Sequence, residues 1–211
     1  MKILKNILVG FIISFIGSIP LGYLNLIGYQ IYSSTNFNQL NLYVFGVLSV
    51  EAIVIYTTLK FSSKISMNPK WKNYISIFSF IFLLGIALLT YNSSSNENNA
   101  LDKYNAYLSY SAFTSGILLS FINVAQVPFW MSRNLYLTNE NYIISSGKKG
   151  MFYVLGTITG TYFGMLTIIF SIQAAKNEDL ISPTFFSKYI WVIFLVLAIF
   201  QLFQIYRNNS K

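Results

Sequence analysis

SIPLGYLN, residues 18–25, lies deep inside a long apolar run, and INVAQVPFW, residues 122–130, lies deep inside another. Each carries a proline and amide side chains where a membrane helix should be plainest. Proline removes a backbone donor and clashes with the preceding turn. In hydrocarbon every freed amide or carbonyl must find a partner, so such breaks persist only inside protein or beside a water-filled cavity. Paired interruptions at corresponding places in two halves of a chain point to a transporter's binding site.

The surrounding composition agrees with a membrane setting. Of 211 residues, 55% are hydrophobic and 9% charged, against about 25% charged in a soluble domain. The net charge of +8 comes from basic residues scattered between apolar runs. They form no stripe, so no nucleic-acid partner is expected. Cysteine and histidine are absent, which removes the usual ligands of zinc, haem and iron–sulfur clusters and rules out Ser–His catalysis. Neither a metal nor a cofactor is expected. Lys2 and Lys5 before an apolar run imitate a signal peptide, but the run continues to Ile31 without an A-x-A-like site. It reads as a first span.

A spanning helix needs about 20 mostly apolar residues. Six segments qualify: about 7–31, 40–60, 74–91, 107–137, 150–173 and 187–206. The first and fourth exceed what a bilayer requires and contain the prolines, which suggests two half-helices each; a kinked continuous helix is the plainer alternative. The polar stretch NSSSNENN, residues 92–99, divides one transmembrane domain, 1–211, into halves of about 1–95 and 100–211. With three spans each, a repeat relating them must be inverted. The expected fold is therefore all-α: a polytopic membrane protein of six transmembrane helices, a 3+3 inverted repeat with broken first and fourth helices. An inside N-terminus puts Lys2, Lys5, Lys60, Lys64, Lys70, Lys72, Arg133, Lys148, Lys149, Arg207 and Lys211 on the cytoplasmic side, and only Lys103, Lys176 and Lys188 outside. Positive charge marks the cytoplasmic face, so both termini are expected there.

Glu51 is the one acid within a span. A membrane carboxylate is expensive and by default functional: it binds a substrate ammonium, shuttles a proton, or donates one hydrogen bond to a neighbouring break when protonated. Pro20, Gly22 and Asn25 form the first break, where a half-helix N-terminus can face a substrate carboxylate; a proline kink with Asn25 bonded to a neighbour is the alternative. Asn123, Gln126, Pro128 and Arg133 form the second, with Trp130 adjoining. Arg133 pairs with a carboxylate or snorkels to the headgroups. Gly156, Gly160 and Gly164 recur at every fourth position beside Thr161. Such spacing permits close helix packing. Aligning Pro20 with Pro128 and Gly46 with Gly156 sets Glu51 opposite Thr161.

These residues carry a resemblance. Six spans, a proline–glycine break in the first, an acid in the second and an asparagine-led break in the fourth together resemble the LysE/RhtB family of amino-acid exporters. The family's P-G-P-like motif corresponds to Pro20, Leu21 and Gly22, and its Asn-Pro to Asn123 and Val124, with the nearest proline at Pro128. Its second-span aspartate is replaced by Glu51, as in a divergent branch. The resemblance implies a bacterial inner-membrane transporter, not an enzyme, that exports amino acids or similar small metabolites by alternating access. The implied substrate site comprises Pro20, Gly22, Asn25, Glu51, Asn123, Gln126, Pro128, Trp130, Arg133 and Thr161. Expected partners are the lipid bilayer and a small-molecule substrate, an amino acid or analogue; a coupling proton and a homo-oligomer are left open. A channel or structural membrane protein is the main rival, yet it should show an uninterrupted polar face. A small-cation exporter is another, although one acid is thin coordination for a divalent ion.

Overall fold

The computed structural model describes residues 2–18, 22–65, 111–123 and 126–177, with further helical residues scattered between 74 and 91 and between 191 and 206. Six helices are defined: α1 (Lys2–Ser18), α2 (Tyr23–Ser34), α3 (Phe37–Ile65), α4 (Ala112–Ile122), α5 (Gln126–Asn139) and α6 (Gly147–Asn177). The described residues contain no strand. Two helices, α3 and α6, are long and apolar enough to cross a membrane, and the number rises to four if each bent pair is one span. The third and sixth expected spans lie largely outside the described residues, as do Pro20 and the 92–99 stretch. Within those two spans the rings of Tyr91 and Trp191 meet edge to face at 5.2 Å.

Both expected breaks are sharp bends. The chain turns by 78° between α1 and α2 and by 70° between α4 and α5. The second interruption sits slightly upstream of its proline. Asn123 ends α4 and α5 begins at Gln126, so Pro128 occupies the first turn of α5. A first-turn residue needs no intrahelical donor, so proline is tolerated there. Asn36 starts α3 by accepting the Gln39 amide at 3.0 Å, and Ser111 starts α4 by accepting that of Thr114 at 3.3 Å. Side-chain oxygens at these positions satisfy amides that the helix leaves orphaned.

Glycine sets the closest approaches. Gly156, Gly160 and Gly164 of α6 face Ile7, Phe11 and Phe15 of α1, and Gly10 of α1 faces the Tyr153 carbonyl. Each four-residue step on one helix matches a four-residue step on the other, so α1 and α6 run parallel. A Cβ at Gly156 or Gly160 would collide with a backbone carbonyl. A second seam joins α3 and α4: Gly46 faces the Phe113 carbonyl, and Gly116 faces that of Tyr43. Helix α3 runs antiparallel to α6, since Phe45 stacks on Tyr162 and Phe37 meets Phe170.

Two apolar clusters make the core. One gathers Ile27, Tyr43, Val47, Leu119, Met165 and Ile169; the other gathers Ile55, Leu59, Trp130, Leu137, Tyr153 and Val154. Along α3 the first cluster stops at Leu48 and the second starts at Ile55. Glu51 lies in the interval.

Candidate functional site at the helix breaks

Four elements converge on Glu51. It occupies the middle of α3, and its Oε1 accepts the indole N–H of Trp130 from α5 at 3.2 Å. The residue is half-buried, but its Oε2 is shut off from the surface and has no hydrogen bond among the described residues. Thr161 of α6 is its other polar neighbour. The Thr161 hydroxyl in turn shares a hydrogen bond with Ser14 of α1. Both hydroxyl residues are buried, at 1% and 4% exposure for Ser14 and Thr161. The sequence places Glu51, Trp130 and Thr161 in one candidate site, with Thr161 only opposite Glu51 in repeat register, and does not single out Ser14. A lone serine in an apolar helix carries no signal until its partner is known.

Each break is bridged by an amide side chain. Asn25 Nδ2 donates back across the first to the Ser18 carbonyl at 3.0 Å, and Gln126 Nε2 donates back across the second to the Ser120 carbonyl at 2.7 Å. The bridges hold carbonyls that lost their helical partners. Gly22 caps α2 with φ −75° and ψ 162°. That is ordinary extended backbone, so its role is not conformational freedom; a Cβ there meets nothing within 4 Å. As a glycine, Gly22 supplies no side-chain cap to α2. The two breaks also approach each other. Gly17, at the end of α1, packs against the Phe129 ring beyond the second break, and the Tyr23 hydroxyl donates to the Leu119 carbonyl at 2.7 Å.

Arg133 also belongs to α5. Its guanidinium lies 5.5 Å from the centre of the Phe129 ring and beside the Tyr153 and Tyr136 hydroxyls. One turn past Trp130, Asn134 anchors a polar network that sequence reading missed. Its Nδ2 donates to Thr58 Oγ1 at 2.9 Å and to the Ile55 carbonyl at 3.3 Å, and its Oδ1 accepts from the Tyr153 hydroxyl at 2.8 Å. At the start of α1, Asn6 holds the 141–149 turn through the Ile144 and Lys149 carbonyls and the Ile144 amide. Gly156, Gly160 and Gly164 serve the α1 seam, which is the packing role.

Chemically, the centre offers a carboxylate oxygen without a donor, two buried hydroxyls and an indole. Among the described residues no group of three His, Cys, Asp or Glu gathers. Comparison with known protein families, with curated proteins and with solved structures gives no match.

Proposed function

We propose that this chain is a solute transporter of the cytoplasmic membrane that exports amino acids or similar small metabolites by alternating access. The observation that carries it is the Glu51 carboxylate, held mid-helix between two bent helix pairs with one oxygen buried and unmatched. The positive end of the α2 dipole, at the first break, suits a substrate carboxylate. Glu51 takes the amino group or a coupling proton. The chain has no histidine or cysteine, and among the described residues no second acid joins Glu51, so nothing here favours an enzyme.

The proposed architecture is six spans in a 3+3 inverted repeat with cytoplasmic termini. Corresponding contacts support it. Gly10 stands to the Tyr153 carbonyl as Gly116 stands to that of Tyr43, and Gly156 stands to Ile7 as Gly46 stands to Phe113. An inverted repeat maps the first of each pair onto the second. In the same register Glu51 corresponds to Thr161 and Ser14 to Ser120, so the acid lies close to the local two-fold axis. The seams also cross between halves. The moving bodies we propose are accordingly α1 with α6 and α3 with α4, rather than the two sequence halves.

The test is an efflux screen of amino acids from cells overproducing the protein, with Glu51→Gln beside the wild type. Loss of efflux with normal membrane insertion is expected. Wild-type efflux by the variant would remove the site.

A further inference from the structure

Helices α2 and α5 each touch both proposed bodies, and each is tied to one of them by a tyrosine. Tyr43 of α3 donates to the Leu24 carbonyl of α2 at 3.0 Å, and Tyr153 of α6 donates to Asn134 Oδ1 of α5 at 2.8 Å. The 110-residue offset that carries Gly46 onto Gly156 also carries Tyr43 onto Tyr153 and Leu24 onto Asn134. Both tyrosines are fully buried. These two ties are equivalent; what reaches across to the other body is not. At α2 the crossing is apolar: Leu24 packs on a cluster that includes Met165 and Ile169 of α6, and Ile169 presses against Gly28. At α5 it is polar. Asn134 Nδ2 donates to Thr58 Oγ1 and to the Ile55 carbonyl of α3 at 2.9 and 3.3 Å. Thr58 turns its own proton back to the Val54 carbonyl at 2.6 Å, which leaves its lone pairs for Asn134.

We propose that Asn134 locks the α3–α4 body to the α1–α6 body at the Leu59 end of the molecule, the cytoplasmic end in the proposed orientation, and that access from that end requires its release. The inference rests on the reading of two rocking bodies and names what holds them together. In the other half, leucine fills the equivalent place. An apolar contact slides and re-forms at small cost, whereas a buried amide keeps its partners or leaves them unsatisfied. Asn134, Thr58 and Tyr153 are all buried, so the network is satisfied only while both bodies are in place around α5. It is therefore either made or broken. The tyrosine bond lets α5 travel with α6, and the two amide donors are what must let go of α3. The opposite end has only its apolar closure across the seam between α2 and α6, so the two ends open with unequal ease.

The experiment uses the full chain purified in detergent, with one cysteine reporter at each end. Leu59 of α3 is buried beside Gly150 of α6, and Ile169 of α6 is buried beside Gly28 of α2. Maleimide labelling rates of Leu59→Cys and Ile169→Cys are measured in each background. Asn134→Leu should speed labelling of the Leu59→Cys reporter by about three- to tenfold, the population shift that a net hydrogen bond supports, and should not speed that of Ile169→Cys. Thr58→Val should act in the same direction, more weakly. Tyr153→Phe takes a bond from the same amide but leaves the link to α3, so it should change neither rate. If Asn134 merely stabilised the core, Thr58→Val and Tyr153→Phe would speed both reporters alike, and that result overturns the proposal. Unchanged labelling of Leu59→Cys in folded Asn134→Leu overturns it too. Where Asn134→Leu fails to fold, the contrast between Thr58→Val and Tyr153→Phe decides alone. One-ended labelling in a protein that exports no amino acid supports the lock and removes the export reading. Efflux that depends on Glu51 without one-ended labelling does the reverse, so the two fail separately.

Discussion

Removing the Asn134 carboxamide strands the Tyr153 hydroxyl in the core. A buried polar group left without its partner costs about 1–3 kcal/mol. Asn134→Ala is therefore expected to lower the melting temperature in detergent, and Tyr153→Phe to do so by less, since it deletes the donor as well. The double variant should fall short of the summed losses, because the two share one bond. Trp130→Phe keeps an aromatic body but takes away the donor to Glu51 Oε1. Efflux assays should show a clear loss for it, and the melting temperature should fall as well, because Trp130 is buried in the core and Glu51 loses its donor. Legibility at this scale was uneven. An acid in an apolar run announces itself, and Glu51 did. Asn6 and Asn134 obey the same rule, being amides inside apolar sequence, yet asparagine is cheap enough near a helix end to pass as a headgroup contact. Their partners, Ile144, Thr58 and Tyr153, stand far off in the chain. For Arg133 the sequence leaves a carboxylate partner and snorkelling to the headgroups equally open; the structure sets its guanidinium over the Phe129 ring and beside Tyr153 and Tyr136.

Helices meet at backbone distance where glycine allows it, and this gives a graded expectation. Gly160→Val drives a side chain into the Phe11 carbonyl, which cannot yield without moving α1. Overpacking of this kind costs roughly 1–3 kcal/mol or more, so folded yield should drop sharply. Gly22→Ala should leave stability unchanged or slightly higher, because its φ of −75° suits alanine and no atom lies near. Any efflux defect in that variant would then report on the α2 amides rather than on folding. The bent pairs were legible because proline and amides stood where apolar residues belong. Their boundaries were less so: the second break precedes Pro128, since a proline closes the first turn after an interruption as readily as it creates one. The fifth expected span, 150–173, is embedded in the longer α6, Gly147–Asn177. Its polar flanks extend the helix beyond what hydropathy marks.

A chain without cysteine accepts single reporter thiols cleanly. In the proposed orientation Asn36, in the exposed turn between α2 and α3, faces outward, and exposed Ser146, before α6, faces the cytoplasm. Asn36→Cys in intact cells should react with a membrane-impermeant maleimide, and Ser146→Cys only after permeabilisation; the reverse pattern would overturn the orientation. Basic-residue bias supplied that orientation, while the interlocking of α1 with α6 had no sequence signal beyond the glycine spacing, which names a seam but not its partner. That interlock has a consequence for biosynthesis. Helix α1 leaves the ribosome before its complement on α6, with α2 to α5 synthesised in between. At about 5–20 residues per second, the interval is on the order of ten seconds. Throughout it, the nascent first helix must wait in the lipid or at the insertion machinery with its contact surface unmet, so assembly of the core is a late event that no early fragment of the chain can complete.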